Sequence, residues 1–414
     1  MKSAKILALP PTNCSLIQNM EVFRCSANRR KSRSKSWTQG LLVLVLLTAE
    51  IALCVITYNV HFSSATAGSS SAERPNGRQK LLSNEYCARS LSIFGSDHTR
   101  TSVSQMHRAS YNTSQYMAST PNFKTSMKSS RLRVMAISTK GMDAPKSMCQ
   151  WTLFSAALNK IPLEIYGASP SFQAGLQKLR DDETTGDGKS VKVDCMLSML
   201  CAMDSSESVL MVDAFDVIFQ RPFDEIEHLY FKRWNAPEFT VSTESNCWPN
   251  WVEGICGVTD QPPVPPGGTP YINSGVMIGS VEAFKEVMGR ALDQRKLGVL
   301  DDQAATARVV YENVESQRFL MDHLSELSSA AYPPKPIYNE IEIEGRGYFV
   351  DPVSKTVPMM IHLNGDIPKD VYGQKMWYLT DGRLNNDLVE TVRDYVVSVD
   401  GERVTVGDMC SSYF

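Results

Sequence analysis

The chain has 414 residues, with 42 Lys and Arg against 45 Asp and Glu and a formal net charge of −3 at pH 7. A hydrophobic fraction of 43% is enough to form a buried core, so wholesale disorder is excluded. One apolar run near the N-terminus excludes a transporter with many spans. Ten Cys in this length exclude a small disulfide-rich protein.

The charge is distributed unevenly. Residues 1–35 hold eight Lys and Arg and one acid, whereas residues 131–414 hold 26 Lys and Arg against 40 Asp and Glu, a net charge of −14. So acidic a region lacks the basic surface that nucleic-acid binding requires. An anionic ligand would need local positive charge, from a metal ion or a few Lys side chains.

The apolar segment 40–58, GLLVLVLLTAEIALCVITY, predicts a membrane-spanning helix about 28 Å long. Basic residues cluster before it and the next one after it is Arg74, so the positive-inside rule places the N-terminus in the cytosol. Glu50 interrupts the run, and a cleaved signal peptide is the alternative interpretation. We expect a cytosolic tail at 1–39, a signal anchor at 40–60, and a single-pass type II protein of the Golgi or endoplasmic reticulum membrane.

Residues 61–130 are rich in Ser, Thr and Asn and lack periodic apolar positions, which predicts a stem. Asn112 begins a glycosylation sequon, Asn-Thr-Ser. Seven Cys follow the membrane segment, and an odd number in an oxidising lumen leaves one thiol free or intermolecular.

From residue 131 to 414, apolar strands alternate with helices, which predicts an α/β domain with a parallel sheet. The predicted strands are 132–139, 163–166, 208–212, 239–242, 271–278 and 358–362, and the predicted helices include 148–158, 191–203 and 304–311.

The strand at 208–212 runs into Asp213-Ala-Phe-Asp216. Ligands of open α/β sheets bind beyond the carboxyl ends of strands, and two carboxylates on a tight turn there can converge on Mg²⁺ or Mn²⁺. Aspartates that cap turn N–H groups are the alternative. His362 also follows an apolar run, before the turn at Asn364-Gly365, and either supplies a third metal ligand or has a structural role.

Acidic and aromatic residues mark a possible substrate side. Asp301 and Asp302 precede a helix, where they either complement its dipole or face a sugar. Trp248 and Trp251 either stack on a sugar or base or pack in the core.

Two glycine-containing segments complete the candidate set. In Asn273-Ser-Gly275, the glycine interrupts an apolar strand and indicates close approach by a ligand or a neighbouring element. Lys189 and Lys192 adjoin a Gly-bearing loop at a helix start, a pattern that can hold a phosphate.

In chain order these segments resemble the glycosyltransferase domain of the multifunctional procollagen lysyl hydroxylases and related procollagen glycosyltransferases. The resemblance covers about residues 131–378 and rests on five blocks: Asp213-Ala-Phe-Asp216-Val217, Glu244-Ser-Asn-Cys247-Trp248-Pro249, Ile272-Asn273-Ser274-Gly275-Val-Met-Ile278-Gly279, Asp301-Asp302-Gln303 and His362-Leu-Asn364-Gly365. The family commonly has Gly where Leu363 stands.

The resemblance implies a GT-A-type, Rossmann-like mixed sheet flanked by helices, and a role for each matching residue. Asp213, Asp216 and His362 match the metal ligands, with Mn²⁺ expected and Mg²⁺ the alternative. Catalytic or sugar-side positions are Trp248, Asn273, Asp301 and Asp302, and donor-side positions are Thr139, Lys189, Lys192, Asn364 and Gly365.

The activity that this resemblance implies is transfer of glucose or galactose from a UDP-sugar to hydroxylysine or galactosyl-hydroxylysine on a protein. Two alternatives remain at this point. One is the same chemistry on another glycan or lipid acceptor, and the other is a non-catalytic, membrane-tethered binding protein with the same fold.

Overall fold

A computed structural model describes residues 86–87, 132–139, 147–181, 191–256, 263–313, 318–332, 338–343, 345–372, 376–380 and 383–414. All of them belong to one compact unit, Pro75–Phe414. The predicted tail, membrane segment and most of the predicted stem lie outside the described residues, as do Asn112 and Lys189. Within the described residues, none of the helices has both the length and the apolar character to span a membrane.

The described strands and helices follow in chain order. The strands are β1 Leu132–Ile137, β2 Leu163–Tyr166, β3 Ser208–Asp213, β4 Val217–Phe219, β5 Phe239–Glu244, β6 Tyr271–Ser280, β7 Phe319–Asp322, β8 Ser328–Ala330, β9 Asn339–Ile343, β10 Arg346–Val350, β11 Met360–His362, β12 Leu379–Thr380, β13 Arg383–Leu384, β14 Val396–Val399 and β15 Glu402–Thr405. The α-helices are α1 Phe154–Leu158, α2 Pro170–Asp181, α3 Val191–Cys201, α4 Phe223–His228, α5 Val281–Lys296, α6 Asp302–Tyr311, α7 Asp366–Tyr372, α8 Val389–Arg393 and α9 Val406–Met409. Short π-helical segments, Met148–Leu153 and Leu229–Arg233, adjoin α1 and α4.

Among the described residues, eleven strands form one sheet in the order β15-β14-β2-β1-β3-β6-β5-β8-β11-β4, with β7 paired to β5. The half containing β14, β2, β1 and β3 is parallel, as the alternating pattern predicts. The alternating pattern by itself predicts only this parallel part, whereas the mixed sheet that the family resemblance implies is confirmed, because β6 runs antiparallel to both β3 and β5, and β4 runs antiparallel to β11. The described residues between β5 and β6, 245–256 and 263–270, contain no helix, and antiparallel neighbours need no crossover helix. The sheet is therefore mixed.

The central strands are buried on both faces, which explains why β1 is apolar at every position except Arg133. Val134 and Ala136 pack in the core on one face, and Met135 and Ile137 pack in the core on the other. Each fully buried Val, Met or Ile side chain contributes about 1.5–3 kcal/mol. This two-sided core fixes the strand ends that carry the polar residues.

Among the described residues, two disulfides join distant parts of the chain, Cys87–Cys201 and Cys149–Cys410, and a third, Cys247–Cys256, closes a short loop. The seventh cysteine beyond residue 60, Cys195, is a buried thiol. Tyr86, in the predicted stem, is 6% exposed and donates a hydrogen bond to Asp293 at 2.6 Å. The predicted stem is therefore attached to the domain at residues 86–87.

Removal of this attachment should destabilise the domain. The Cys87→Ser, Cys201→Ser double variant should lose about 2–5 kcal/mol in the free energy of unfolding, because the crosslink no longer restricts the unfolded chain. Denaturant titration of the parent and the variant measures the difference. Equal midpoints would contradict the attachment of residues 86–87.

Candidate active site

Two strand pairings bring the predicted metal ligands together. Asp213 is the last residue of β3, and the turn 214–216 leads directly into β4. In the antiparallel pairing of β4 with β11, Val217 lies opposite His362. The ladder continues one step further, where the Leu363 N–H donates to the Asp216 carbonyl at 2.7 Å. Asp216 therefore lies beside His362, although 146 residues separate them in the sequence.

The three side chains form a compact set of donors. His362 Nε2 lies 3.5 Å from Asp213 Oδ2 and 3.4 Å from Asp216 Oδ1, and one ligand atom from each residue lies within 4.8 Å of the others. The side chain of Asp213 is 29% exposed, against 15% for Asp216 and 5% for His362, so the set opens towards solvent at Asp213. Two carboxylate oxygens and an imidazole nitrogen fit a divalent cation such as Mn²⁺ or Mg²⁺.

Two lysines neutralise the carboxylates. The ammonium of Lys192 forms an ion pair with Asp213, lies 3.5 Å from Asp302 Oδ2, and donates to the Ser274 carbonyl at 3.2 Å. Lys369, on α7, lies 3.0 Å from Asp216 Oδ2. These residues convert two adjacent acids and a histidine into a charge-balanced cluster.

The pKa values reflect this cluster. Burial alone would raise the pKa of both aspartates, but His362 and Lys369 hold the pKa of Asp216 well below its usual value, and Lys192 and His362 lower that of Asp213. Burial lowers the pKa of His362, yet the two carboxylates outweigh it and raise that pKa to about 9. Both carboxylates are therefore ionised at neutral pH and available to a cation.

Beside His362, strand β6 is irregular. Its pairing with β5 shifts register, because Val241 pairs with Met277 whereas Ser242 pairs with Asn273. Bulges of this kind redirect backbone and side chains next to active sites. At Gly275 in this bulge, an added Cβ would lie 2.1 Å from Cε1 of His362. The expected close approach at this glycine is thus made by the His362 ring.

The acidic pair before α6 is divided between two roles. Asp301 accepts a hydrogen bond from the Ala304 N–H at 3.0 Å and is the N-cap of the helix. Asp302 instead accepts from Ser274 Oγ at 3.1 Å and faces Lys192. Asp302 therefore joins the charged cluster that contains Lys192 and Asp213.

The two tryptophans lie on the surface rather than in the core. Trp248 is 38% exposed and Trp251 is 64% exposed, and their rings meet edge to face at 4.4 Å. Their loop is closed by the Cys247–Cys256 disulfide, and Gln303 donates to the Trp248 carbonyl at 2.8 Å. Gln303 therefore joins the aromatic pair to the residues beside Asp302.

The donor-side predictions are partly placed. Thr139 is half-buried two residues beyond Ile137, which pairs with Asp213, so it lies at the same edge of the sheet. Asn364 Oδ1 accepts a hydrogen bond from the Tyr332 N–H at 3.0 Å. Gly365 has a φ of +81°, and a Cβ added at this position would clash with the Tyr332 ring. Leu363, the departure from the family pattern, is fully buried.

Sequence reasoning gave no role to Glu244, which is 3% exposed at the end of β5. It accepts hydrogen bonds from Asn273, Gln303 and Asn364 at 3.3, 2.7 and 2.9 Å. Burial raises the pKa of Glu244, and these donors partly offset the rise. The signal that could have found it is an acid at the carboxyl end of a strand, as at Asp213. Lys369 was also missed.

Comparisons with known proteins bear on this arrangement. A family model described as the PLOD GT domain matches residues 128–378. The multifunctional procollagen lysine hydroxylase and glycosyltransferase of Caenorhabditis elegans is 20% identical over 240 residues, which span 56% of this chain and 30% of the relative.

Among solved structures, mouse xyloside xylosyltransferase 1 in its apo form is 14% identical, with a TM-score of 0.31 over 49% of this chain and 87% of that one. The galactosyltransferase LgtC, in complex with donor and acceptor sugar analogs, is 11% identical, with a TM-score of 0.32 over 56% of this chain and 87% of that one. Scores this low carry no argument about the site.

The family match, over more than half of the chain, defines the class of protein: this is a glycosyltransferase. The chain belongs to the PLOD GT domain family.

The contact at Gly275 generates a prediction. Gly275→Ala should weaken Mn²⁺ binding at least about tenfold, because the new Cβ displaces the His362 ring. Titration of the protein with Mn²⁺ measures the dissociation constant.

Gly298→Ala is the control for this experiment. Its added Cβ meets nothing within 4 Å, while its φ of +88° costs about 1–2 kcal/mol of stability. This variant should be less stable but bind Mn²⁺ as the parent does. Unchanged Mn²⁺ binding in Gly275→Ala would show that the ring position does not govern the metal site.

Proposed function

We propose that the chain is a GT-A-type, metal-dependent glycosyltransferase that moves glucose or galactose from a UDP-sugar to hydroxylysine or galactosyl-hydroxylysine on a protein. The observation that carries the proposal is the convergence of Asp213, Asp216 and His362 within 4.8 Å in a domain of this family. The name of the Caenorhabditis elegans relative, a procollagen lysine hydroxylase and glycosyltransferase, supports the choice of acceptor.

Asp213, Asp216 and His362 are the residues that would hold Mn²⁺, with Mg²⁺ as the alternative. Their donor atoms are those such ions prefer, and Lys192 and Lys369 already occupy the outer carboxylate oxygens with positive charge. When bound, the ion supplies Lewis acidity to a departing nucleoside diphosphate without needing a proton.

Two lysine side chains of the site supply positive charge for the anionic donor. A domain with a net charge of −14 repels a diphosphate unless positive charge is concentrated at the site. Lys192 pairs with Asp213, and Lys369 pairs with Asp216. Burial lowers the pKa of Lys192, but the nearby carboxylates outweigh burial and raise that pKa above its usual value. We assign both lysines to the diphosphate side, with Thr139, Asn364 and Gly365.

Asp302 is assigned to the transferred sugar. Glycosyl transfer passes through a state in which positive charge develops on the sugar ring, and a nearby carboxylate stabilises that charge. Asp302 is held in place by Ser274 and Lys192 and is 13% exposed. The exposed Trp248 and Trp251 are assigned to the acceptor. The alternative acceptors, another glycan or a lipid, would use the same metal and donor residues.

We also propose a single-pass type II protein with its catalytic domain in the lumen of the endoplasmic reticulum or Golgi. The proposal rests on the apolar segment 40–58 and the basic residues before it. The three disulfides of the described domain are consistent with an oxidising compartment.

Removal of a proposed metal ligand should abolish transfer. Asp216→Asn and His362→Ala should each reduce Mn²⁺-dependent release of UDP from UDP-glucose or UDP-galactose by about 100-fold or more. Chelation of the metal with EDTA should abolish UDP release by the parent. Asp408→Asn, on the distant α9, is the control and should retain full activity. A His362→Ala variant that turns over normally with Mn²⁺ would refute the ligand assignment.

The two adjacent aspartates should behave differently. Asp302→Asn should lower kcat about 10²-fold or more with little change in KM for the donor, because its charge acts in the transition state. Asp301→Ala should mainly lower stability, by about 0.5–2 kcal/mol, because it removes the N-cap of α6. Steady-state kinetics and thermal unfolding of both variants distinguish these roles. A rise in KM alone for Asp302→Asn would place that residue in donor binding instead.

A further inference from the structure

The orientation of the buried Asn273 amide shows that Nδ1 of His362 carries a hydrogen. The backbone N–H of Gly275 lies 3.0 Å from Asn273 Oδ1, and a backbone N–H can only donate. The Asn273 oxygen must therefore face Gly275. His362 Nδ1 lies 2.8 Å from that same oxygen, so Nδ1 must carry a hydrogen and donate it.

The other end of the same amide is held by Glu244. Asn273 Nδ2 donates to Glu244 Oε1 at 3.3 Å, and a carboxylate can only accept. The two ends of Asn273 therefore agree, with the amide nitrogen towards Glu244 and the amide oxygen towards His362. Exchange of the two ends would place N–H groups against Gly275 and remove the bond to Glu244.

Glu244 is held in turn by two further amides whose orientations are fixed. Gln303 accepts from the Ser274 N–H at 3.2 Å, so its amide nitrogen faces Glu244. Asn364 accepts from the Tyr332 N–H at 3.0 Å, so its amide nitrogen also faces Glu244. All three amides offer only N–H groups here, which requires acceptor oxygens at residue 244.

We propose that Glu244 is a positioning residue that acts through Asn273 to hold a hydrogen on Nδ1 of His362, so that Nε2 is the ring nitrogen that gives up its hydrogen when a divalent cation binds. Nε2 is the ring atom that faces Asp213 and Asp216. Glu244, Asn273 and His362 are 3%, 2% and 4% exposed, so water cannot readily replace these bonds. The inference rests on the proposed metal-dependent function and adds the residues that prepare the ligand.

The experiment compares two substitutions of Glu244 in the full chain. Glu244→Met keeps a long unbranched side chain but removes both acceptor oxygens, so the amide nitrogen of Asn273 loses the acceptor that holds it. Partners of this kind change metal affinity about 10–100-fold, and we expect the Mn²⁺ dissociation constant to rise by that factor. Glu244→Gln keeps one oxygen for Asn273 and should recover most of the affinity.

A matched control separates this effect from loss of stability. Gln220 is also buried, and its amide contacts the backbone of Phe349 and Pro358 rather than His362. Gln220→Met should therefore lower stability while the Mn²⁺ dissociation constant stays that of the parent.

A second measurement is independent of metal binding. In metal-free protein labelled with ¹⁵N-histidine, the ring resonances of His362 should show a hydrogen-bonded Nδ1–H in the parent and in Glu244→Gln, but not in Glu244→Met. If Glu244→Met fails to fold, Asn273→Leu makes the same test, because it removes the acceptor of the His362 Nδ1–H.

The outcomes are distinct. A parent that binds no Mn²⁺ contradicts the proposed metal site, and the ring resonances then decide the inference alone. A parent that binds Mn²⁺, with unchanged affinity and an unchanged Nδ1–H in Glu244→Met or Asn273→Leu, overturns the role of Glu244. Loss of affinity in Gln220→Met as well would also overturn it.

Discussion

The antiparallel pairing of β4 with β11 is the constraint on which the rest of the site depends. It places Val217 opposite His362 and continues through the bond from the Leu363 N–H to the Asp216 carbonyl. Because β4 follows β3 after only three residues, the same pairing brings the end of β3 to the end of β11. A shift of one residue in this register would turn the His362 side chain to the opposite face of the sheet.

Charge balance is the second requirement. Two carboxylates this close repel one another unless positive charge accompanies them. Lys192 and Lys369 supply that charge from two different helices, α3 and α7. A divalent cation and a diphosphate would enter the same arrangement together, the cation attracted by the acids and the diphosphate by the lysines. Under the proposed function, this accounts for how an acidic domain binds an anionic donor.

Much of the fold and part of the site could be predicted from the sequence, because both leave local patterns. Apolar runs marked β1, β2 and β3 closely, and polar residues at strand ends marked Asp213 and His362. The direction of a strand and its register with a neighbour depend on distant parts of the chain. The antiparallel direction of β6 and its bulge at Gly275 therefore could not be predicted from the sequence pattern.

The residues that were missed or left ambiguous are those defined by long-range contacts. Asp301 and Asp302 are adjacent and chemically identical, and only the helix geometry separates the cap from the residue that faces Lys192. Glu244 joins three amides from different parts of the chain, which no single segment reveals.

The measurement that tests the central claim most directly is a crystal structure with Mn²⁺ and UDP, in which the anomalous signal locates the ion. The account predicts one ion within roughly 2.0–2.3 Å of oxygens of Asp213 and Asp216 and of Nε2 of His362. An ion bound elsewhere, or an imidazole that still contacts the two carboxylates with no ion between them, would contradict it.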